Sequence, residues 1–344
     1  MKALRLVLIT LSLLGLLAAL SGCGGASGEP VFLNIDRRAS WEQITNGLIT
    51  MTAYGGNGLL YIYDIGDTGG NPVLLTPSLN NIYDLEEGGQ DPVYNPPLNL
   101  TTQSTTICMA SRRSLSGNTG ASLALYTMSA TTGDVPTGNT PGLVRITDDN
   151  STGTDTEPNY SPDGTKIIYS STRGTGVGQI RVANANGSST SFPNLFTDSY
   201  DDEWPCYNPK NADQIVFQST RGEPAGTTTQ SNIFTYTIST KTFTKITAAS
   251  LAKFANGAPC WSPDGTTIAF HSNPGGNYNI FTLRLADGKL VNVTNDARSD
   301  GFPVWDPTNT FLAFTRDREL WIAAANGVTL TSSGQTQQQL TRRF

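Results

Sequence analysis

The sequence predicts an all-β fold, a six-bladed β-propeller built from four-stranded antiparallel blades. Short apolar runs end at a threonine six times, at Thr76, Thr147, Thr197, Thr247, Thr294 and Thr341. Successive threonines are 71, 50, 50, 47 and 47 residues apart. A period of roughly 40 to 50 residues filled with short strand-like runs is typical of propeller blades. The six endings therefore predict six blades.

A proline-flanked aromatic motif opens each repeat. Pro158–Pro162 and Pro259–Pro263 carry an aromatic residue at the centre, and each continues as Asp-Gly. Proline presets φ for a turn and glycine accepts a positive φ, so Ser-Pro-Asp-Gly predicts a tight turn. The aromatic residue before the turn is large enough to fill the space between neighbouring sheets.

Three further strands follow the turn. The second strand is rich in β-branched and aromatic residues, at Lys166–Tyr169, Gln214–Phe217, Thr267–Phe270 and Phe311–Phe314. A polar hairpin comes next, and it has the same sequence, Ser-Thr-Arg-Gly, at Ser171–Gly174 and Ser219–Gly222. The third strand ends in an Asx-Gly turn, which is a hairpin signal, and the fourth runs into the threonine. Four antiparallel strands make one propeller blade.

The complete repeat resembles that of TolB-like propellers, also called the PD40 or WD40-like repeat. The best matches are Glu157–Thr197, Glu203–Thr247 and Gly257–Thr294. Phe302–Thr341 also matches, Asp91–Thr147 carries insertions, and Trp41–Thr76 is the weakest unit. The resemblance implies a propeller over residues 39–344, with blades at about 40–76, 91–147, 157–197, 203–247, 257–294 and 302–341.

The N-terminal sequence predicts that the protein is targeted to a membrane. Residues 1–22 have the form of a lipoprotein signal peptide, in which the apolar segment Leu6–Leu20 is too short to span a bilayer comfortably. Leu20-Ser21-Gly22-Cys23 resembles the bacterial lipobox, which predicts a lipid on Cys23 and anchoring without spanning. Residues 23–38 then form a tether, in which Val31–Ile35 is a candidate edge strand. The expected location is the bacterial cell envelope, periplasmic or on the outer membrane or cell surface.

Charge and cysteine content exclude some classes of function. The chain carries 28 acidic and 22 basic side chains, and loss of Lys2 and Arg5 with the signal peptide would leave a net charge of −8. An acidic chain of this kind argues against nucleic acid as a partner. Cys108, Cys206 and Cys260 are expected to be buried thiols rather than to form a disulfide between Cys206 and Cys260.

Catalytic motifs are missing from the sequence. His271 is the single histidine, and its counterparts in other repeats are ordinary polar residues. No Gly-x-Ser-x-Gly motif and no Cys/His spacing typical of zinc occurs, and the repeats use nearly the whole mature sequence. We therefore expect no catalytic residue and no cofactor, with a lyase or hydrolase as the less favoured alternative.

Acidic residues recur just before the repeats begin, at Asp155, Glu157, Asp201, Asp202, Glu203 and Asp300. In a propeller, the links between blades cross one face toward the central channel, so these carboxylates are predicted to gather near one channel mouth. Such a site would bind a cation or a basic peptide segment, and oxygen ligands at Asp202 and Glu203 would suit Ca²⁺. The alternative is that they are solvated loop charges.

The sequence favours a non-catalytic, membrane-anchored binding or scaffold protein that binds an envelope protein or peptide through a propeller face. The resemblance implies this role, since TolB docks envelope partners, although TolB has an α/β domain ahead of its propeller and no lipobox. The alternative is a carbohydrate-binding surface lipoprotein. Its glycan would bind at the acidic mouth or at the second-blade loops Ser114–Ala121 and Gly133–Leu143.

Overall fold

The computed structural model describes residues 40–41, 48–53, 59–64, 73–74, 90–94, 106–111, 123–129, 143–147, 152–196, 198–222, 230–317, 319–328 and 336–339. All regular secondary structure among these residues is β-strand. Nowhere in these ranges does a helix reach the length and apolarity needed to cross a bilayer. The predicted signal peptide, Cys23 and the candidate edge strand Val31–Ile35 lie outside the described residues, as do the second-blade loops except for Leu143.

Five sheets contain four antiparallel strands each, ordered as in the sequence. The first two sheets are β1 (Ser40–Trp41), β2 (Leu48–Ala53), β3 (Leu59–Asp64) and β4 (Val73–Leu74), and then β5 (Gln90–Tyr94), β6 (Thr106–Ser111), β7 (Ala124–Ser129) and β8 (Leu143–Arg145). Two further sheets are β12 (Asp202–Asn208), β13 (Asn211–Ser219), β14 (Asn232–Thr237) and β15 (Thr242–Lys245), and then β16 (Asn256–Trp261), β17 (Thr267–Ser272), β18 (Asn279–Arg284) and β19 (Lys289–Asn292). The last sheet is β20 (Asp300–Trp305), β21 (Phe311–Arg316), β22 (Glu319–Ala324) and β23 (Gln337–Gln339).

The prediction of six four-stranded blades is wrong, because the described residues form five such blades. The remaining sheet has three strands, β9 (Asp155–Tyr160), β10 (Lys166–Ser171) and β11 (Gln179–Asn184). Among the described residues beyond β11, the pairing with this strand is limited to an isolated bridge between Arg181 and Asn194. Pro193, beside that bridge, has no N–H to give to a ladder. The backbone N–H of Asn184 donates instead to Ser189 Oγ at 2.7 Å.

The sheets are arranged around a common axis as a propeller, which confirms the predicted all-β propeller architecture. Contacts between first strands run in order through β1, β5, β9, β12, β16 and β20, and β20 also contacts β1. The first strands therefore surround the axis, and the later strands of each sheet lie progressively further out.

The core lies between neighbouring sheets. The predicted aromatic positions are buried at Tyr160, Tyr207 and Trp261, and one apolar cluster spans three successive sheets, from Val216 to Leu312. Cys108, Cys206 and Cys260 are buried within this packing, and no disulfide joins the cysteines of the described part of the chain. Their interpretation as buried small side chains is confirmed.

The terminal threonines have a specific structural role. Where the structure describes them, their hydroxyls replace a ladder hydrogen bond at the second residue of the third strand. Thr147, Thr247 and Thr294 Oγ1 accept the backbone N–H of Leu125, Ile233 and Ile280, at 2.9, 2.6 and 3.0 Å respectively. The hydroxyl thus satisfies a buried donor at the point where the fourth strand ends, which explains why the repeat ends in threonine.

The predicted Ser-Pro-Asp-Gly turn is also present. Ser262 Oγ donates to Asp264 Oδ1 at 2.6 Å and accepts the Thr267 N–H at 2.9 Å. Gly265 has φ +71°, where a side chain would be strained. The turn at Ser161 has the same hydrogen bonds, so the motif fixes the junction between the first two strands of a blade.

Candidate functional site

A bulge with left-handed backbone lies near the start of four first strands. We call its residues the bulge row; they are Glu157, Trp204, Ala258 and Phe302, with φ of 58°, 55°, 45° and 55°. The strand register shifts at each of them. Positive φ at non-glycine residues costs about 1–3 kcal/mol and is concentrated at functional sites. This end of the channel is therefore the candidate site.

At three of the four bulges, a backbone N–H points toward the preceding sheet, where a side chain accepts it. The Trp204 N–H donates to Glu157 Oε2 at 2.9 Å and to Ser170 Oγ at 3.0 Å. The Ala258 N–H donates to Gln218 Oε1 at 3.0 Å. The bulges therefore form polar bonds between blades, which offset part of their backbone strain.

His271 occupies the same acceptor position in the next sheet. Its Nδ1 accepts the Phe302 N–H at 3.4 Å, so the neutral ring carries its proton on Nε2. Its ring lies 4.9 Å from that of Tyr278 and 5.5 Å from that of Phe302. Burial lowers the pKa of His271 to about 4, which keeps the ring neutral at neutral pH.

Two aromatic rings of the bulge row meet near the channel axis. The ring centroids of Trp204 and Phe302 are 5.1 Å apart, although their sheets are separated by the β16–β19 sheet. Ala258 holds the bulge position in that intervening sheet, and its small side chain leaves room for the contact. The aromatic pair therefore fills part of the channel at this end.

Three of the predicted acidic residues are buried in ion pairs. Asp155, Asp202 and Asp300 are at most 1% exposed. Their nearest arginine nitrogens are those of Arg173 at 2.8 Å, Arg221 at 3.0 Å and Arg316 at 2.5 Å. Each pair lies within one sheet and ties the first strand to the end of the second. These three carboxylates are therefore already bound to arginines within the protein.

The Asp202 pair lies within an aromatic cluster. Arg221 also binds Asp198 at 2.5 Å. Its guanidinium carbon lies 4.0 Å from the ring centroid of Phe243 and within 5.8 Å of the ring centroids of Phe196, Tyr200, Phe217 and Phe234.

Burial raises the pKa of Asp202 to about 7, because the cost of burying the charge outweighs the attraction of the nearby guanidinium. Burial likewise raises the pKa of Asp300.

The other three predicted residues lie together on two neighbouring sheets. Glu157 is buried and accepts a hydrogen bond from Ser170 Oγ at 2.6 Å. Glu203 is half-buried and accepts from Gln218 Nε2 at 2.9 Å. Asp201 is half-buried and accepts the Gly178 N–H at 2.8 Å. A Cβ on Gly178 would lie within 2.8 Å of both Asp201 and Glu203, so these two side chains both pack against Gly178.

The predicted Ca²⁺ ligands are engaged within the protein. Asp202 Oδ2 faces Arg221, and Glu203 Oε2 accepts from Gln218. Among the residues that the structure describes, no group of three or more His, Cys, Asp or Glu side chains could hold a metal ion. Ca²⁺ binding at Asp202 and Glu203 stays a prediction, and it would require both side chains to leave their present partners.

The arginine partners of these aspartates were not predicted from the sequence, although the sequence contains a signal for them. Arg173 and Arg221 lie in the repeated Ser-Thr-Arg-Gly hairpins, 18 and 19 residues after their aspartates. In the β16–β19 sheet both residues are replaced, by Asn256 and Pro274. The charges occur or are lost together in these three sheets, although the β5–β8 repeat has Gly89 and keeps Arg113, so the signal is incomplete.

No protein-family model matches the chain, but solved propeller structures are similar. TolB from Acinetobacter baumannii has a TM-score of 0.57 at 18% identity, over 83% of this chain and 63% of that one. A putative TolB from Agrobacterium tumefaciens has a TM-score of 0.53 at 18% identity, over 69% and 76%. Oligogalacturonate lyase from Vibrio parahaemolyticus has a TM-score of 0.53 at 11% identity, over 91% and 78%.

These similarities define the class of protein. The chain has a TolB-like β-propeller fold, and it spans less than two thirds of the A. baumannii TolB chain. Peptidases are also among the similar structures, but this chain covers less than half of their length. Because TolB proteins, peptidases and a lyase share the fold, the fold alone assigns no activity.

Proposed function

We propose that the protein is a non-catalytic binding protein of the bacterial cell envelope, anchored by a lipid on Cys23. It binds a protein or peptide partner through the propeller face that carries the bulge row. The observation that carries this proposal is the aromatic pair of Trp204 and Phe302 beside the carboxylates of Glu157 and Glu203. Aromatic rings next to carboxylates suit a peptide segment with basic and apolar side chains.

The surroundings of the bulge row support partner binding at this end. Tyr200 is 38% exposed, lies two residues before Asp202, and stacks on Arg221 with a distance of 5.1 Å from the guanidinium carbon to the ring centroid. Asp201 and Glu203 are half-buried beside it. Rigid aromatic side chains with polar neighbours are frequent among the residues that dominate protein interfaces.

The state of the titratable groups supports a non-catalytic role. Asp155, Asp202 and Asp300 already bind arginines, and His271 Nδ1 already accepts a backbone N–H. A general base works best with a pKa near the working pH, whereas burial lowers that of His271 to about 4. Burial raises the pKa of Asp202 to about 7, but this side chain is 0% exposed and bound to Arg221.

The binding role is tested by crosslinking the full, processed protein in envelopes of its source bacterium, identifying the captured partner, and repeating the binding with purified proteins. We expect Tyr200→Ala and Glu203→Gln to weaken binding at least fivefold, because both change the face that carries the bulge row. Lys245→Ala, an exposed change on the outer strand β15, is the control and should bind as the wild type does. Failure to capture any partner would refute the role, and unchanged binding by both face variants would refute the choice of face.

The lipid anchor is tested separately. Cys23→Ser removes the thiol that would carry the lipid, so we expect the protein to leave the membrane fraction and appear in the soluble envelope fraction. Ser27→Ala, in the same predicted tether, should stay with the membrane. A Cys23→Ser protein that still sediments with membranes after a high-salt wash would contradict the anchor.

A further inference from the structure

A cleft of about 380 Å³ opens between the last two sheets, β16–β19 and β20–β23. Its lining includes Asp264 in the first turn of one sheet and Trp305 at the end of the first strand of the other. Bulge-row residues lie at the opposite ends of these first strands, so the cleft belongs to the other face of the propeller. Its volume falls within the roughly 300–1,000 Å³ of small-molecule sites.

A substitution within the repeat explains why this interface is open. At the preceding interface, between the β12–β15 and β16–β19 sheets, Lys210 covers Gly265; a Cβ on that glycine would lie 3.2 Å from Lys210 Cβ and Cγ. At the cleft, the corresponding residues are Asp264 and Asn309, and the Asp264 N–H donates to Asn309 Oδ1 at 3.0 Å. The shorter aspartate leaves the volume that the aliphatic part of lysine fills one blade earlier.

The polar groups of the cleft are held in place by neighbouring side chains. Asp264 Oδ1 accepts from Ser262 Oγ at 2.6 Å and from the Thr266 N–H at 3.0 Å. Arg284 binds Asp287 through two nitrogens, at 2.9 and 2.5 Å. Fixed polar groups lose little conformational entropy when a ligand binds, so they favour affinity.

We propose that this cleft binds a short neutral saccharide. Trp305 and Val291 supply apolar surface for the C–H faces of a sugar ring, and the side chains of Asp264, Asn309 and Arg284 supply planar hydrogen-bonding groups for its hydroxyls. The lining carries one negative side chain, Asp264, and two positive ones, Arg284 and Lys289. Asp287 lies beside the lining and neutralises Arg284, so the local charge sums to zero and does not select an acidic ligand. This site lies apart from the proposed protein-binding face and does not rest on it.

The test begins by probing a glycan array with the labelled full-length protein and measuring the best neutral oligosaccharide by calorimetry. The double variant Asp264→Lys, Asn309→Gly rebuilds the lysine–glycine contact of the preceding interface, and we expect it to weaken that binding at least tenfold. Asn309 has φ +62°, so glycine is compatible with its backbone. Lys245→Ala, an exposed change on the outer strand β15 and outside both proposed sites, is the control and should keep the wild-type affinity.

A second variant keeps the proposal testable if the double variant does not fold. Asn326→Ala removes an exposed lining amide at the rim, and we expect at least a threefold loss of affinity. Binding of acidic glycans only, or of no glycan, would overturn the proposal. Wild-type affinity in a folded double variant, or in Asn326→Ala, would also overturn it.

Discussion

Arg316→Met is expected to lower the free energy of unfolding by about 3–5 kcal/mol, the usual cost of removing one partner from a buried ion pair. Arg316 is 1% exposed, and it binds both oxygens of Asp300 at 2.5 and 2.6 Å. It also binds Asp296 at 2.7 Å. Methionine keeps much of the apolar volume but leaves the buried Asp300 carboxylate without its cation. Urea unfolding followed by tryptophan fluorescence measures the loss.

The exposed pair in the neighbouring sheet provides the control. The Arg284 and Asp287 side chains are 50% and 48% exposed and their attraction is screened by solvent, so Arg284→Met should cost far less stability than Arg316→Met. Losses of equal size in the two arginine variants would contradict the assignment of Arg316 to a buried structural pair.

The residual charge, rather than the missing contact, is expected to cause most of the loss. Adding Asp300→Asn to Arg316→Met should therefore recover part of the stability. The chain already contains such a neutral arrangement, since Asn256 at the corresponding position donates to the carbonyl groups of Ser231, Leu251 and Phe254. A double variant less stable than Arg316→Met alone would show that the hydrogen bonds matter more than the charge.

These ion pairs show how far the sequence could predict the site. The sequence indicated the acidic residues as a set because they precede the opening proline of several repeats, but it could not tell whether they face solvent or the protein. Asp155 and Asp300 are buried because arginines 18 and 16 residues later fold back onto them. That contact depends on the register between two strands, which the composition of either strand alone does not specify.

The fold was predicted better than the site because blade strands repeat with a regular pattern. The threonine endings and Asp-Gly turns correspond to hydrogen bonds that recur in the described blades. The missing fourth strand after β11 could not be found in this way. The threonine spacing continues through that blade, whereas Pro193 limits its pairing to one bridge.

The bulge row was missed for a different reason. Its four residues are Glu157, Trp204, Ala258 and Phe302, which share no side-chain chemistry. What they share is a backbone conformation, which at Trp204, Ala258 and Phe302 is supported by a side-chain acceptor on the preceding sheet. Because the acceptors also differ, as glutamate and serine, glutamine and histidine, no residue-type pattern could mark the position.

His271 should make the stability of the protein fall in mild acid. Burial lowers the pKa of His271 from 6.5 to about 4, so the unfolded chain takes up a proton that the folded ring does not. The stabilisation is therefore complete above pH 6.5 and is lost as the pH falls through this window. The loss is about 1.4 kcal/mol for each pH unit, at most about 3 kcal/mol in all. Protonation would also remove the lone pair on Nδ1 that accepts the Phe302 N–H.

His271→Gln is the matched variant, because Gln218 already fills the same position one sheet earlier and accepts the Ala258 N–H through Oε1 at 3.0 Å. Glutamine at 271 can therefore keep the bond to Phe302 while removing the titration. Raised pKa values at Asp202 and Asp300 act in the opposite direction, since protonation there favours the folded state as pH falls. Those groups are present in both proteins and cancel in the difference. Urea unfolding of both proteins between pH 4 and pH 8 should show the wild type losing stability relative to His271→Gln below pH 6.5. Parallel pH profiles would mean that the folded imidazole titrates like that of the unfolded chain.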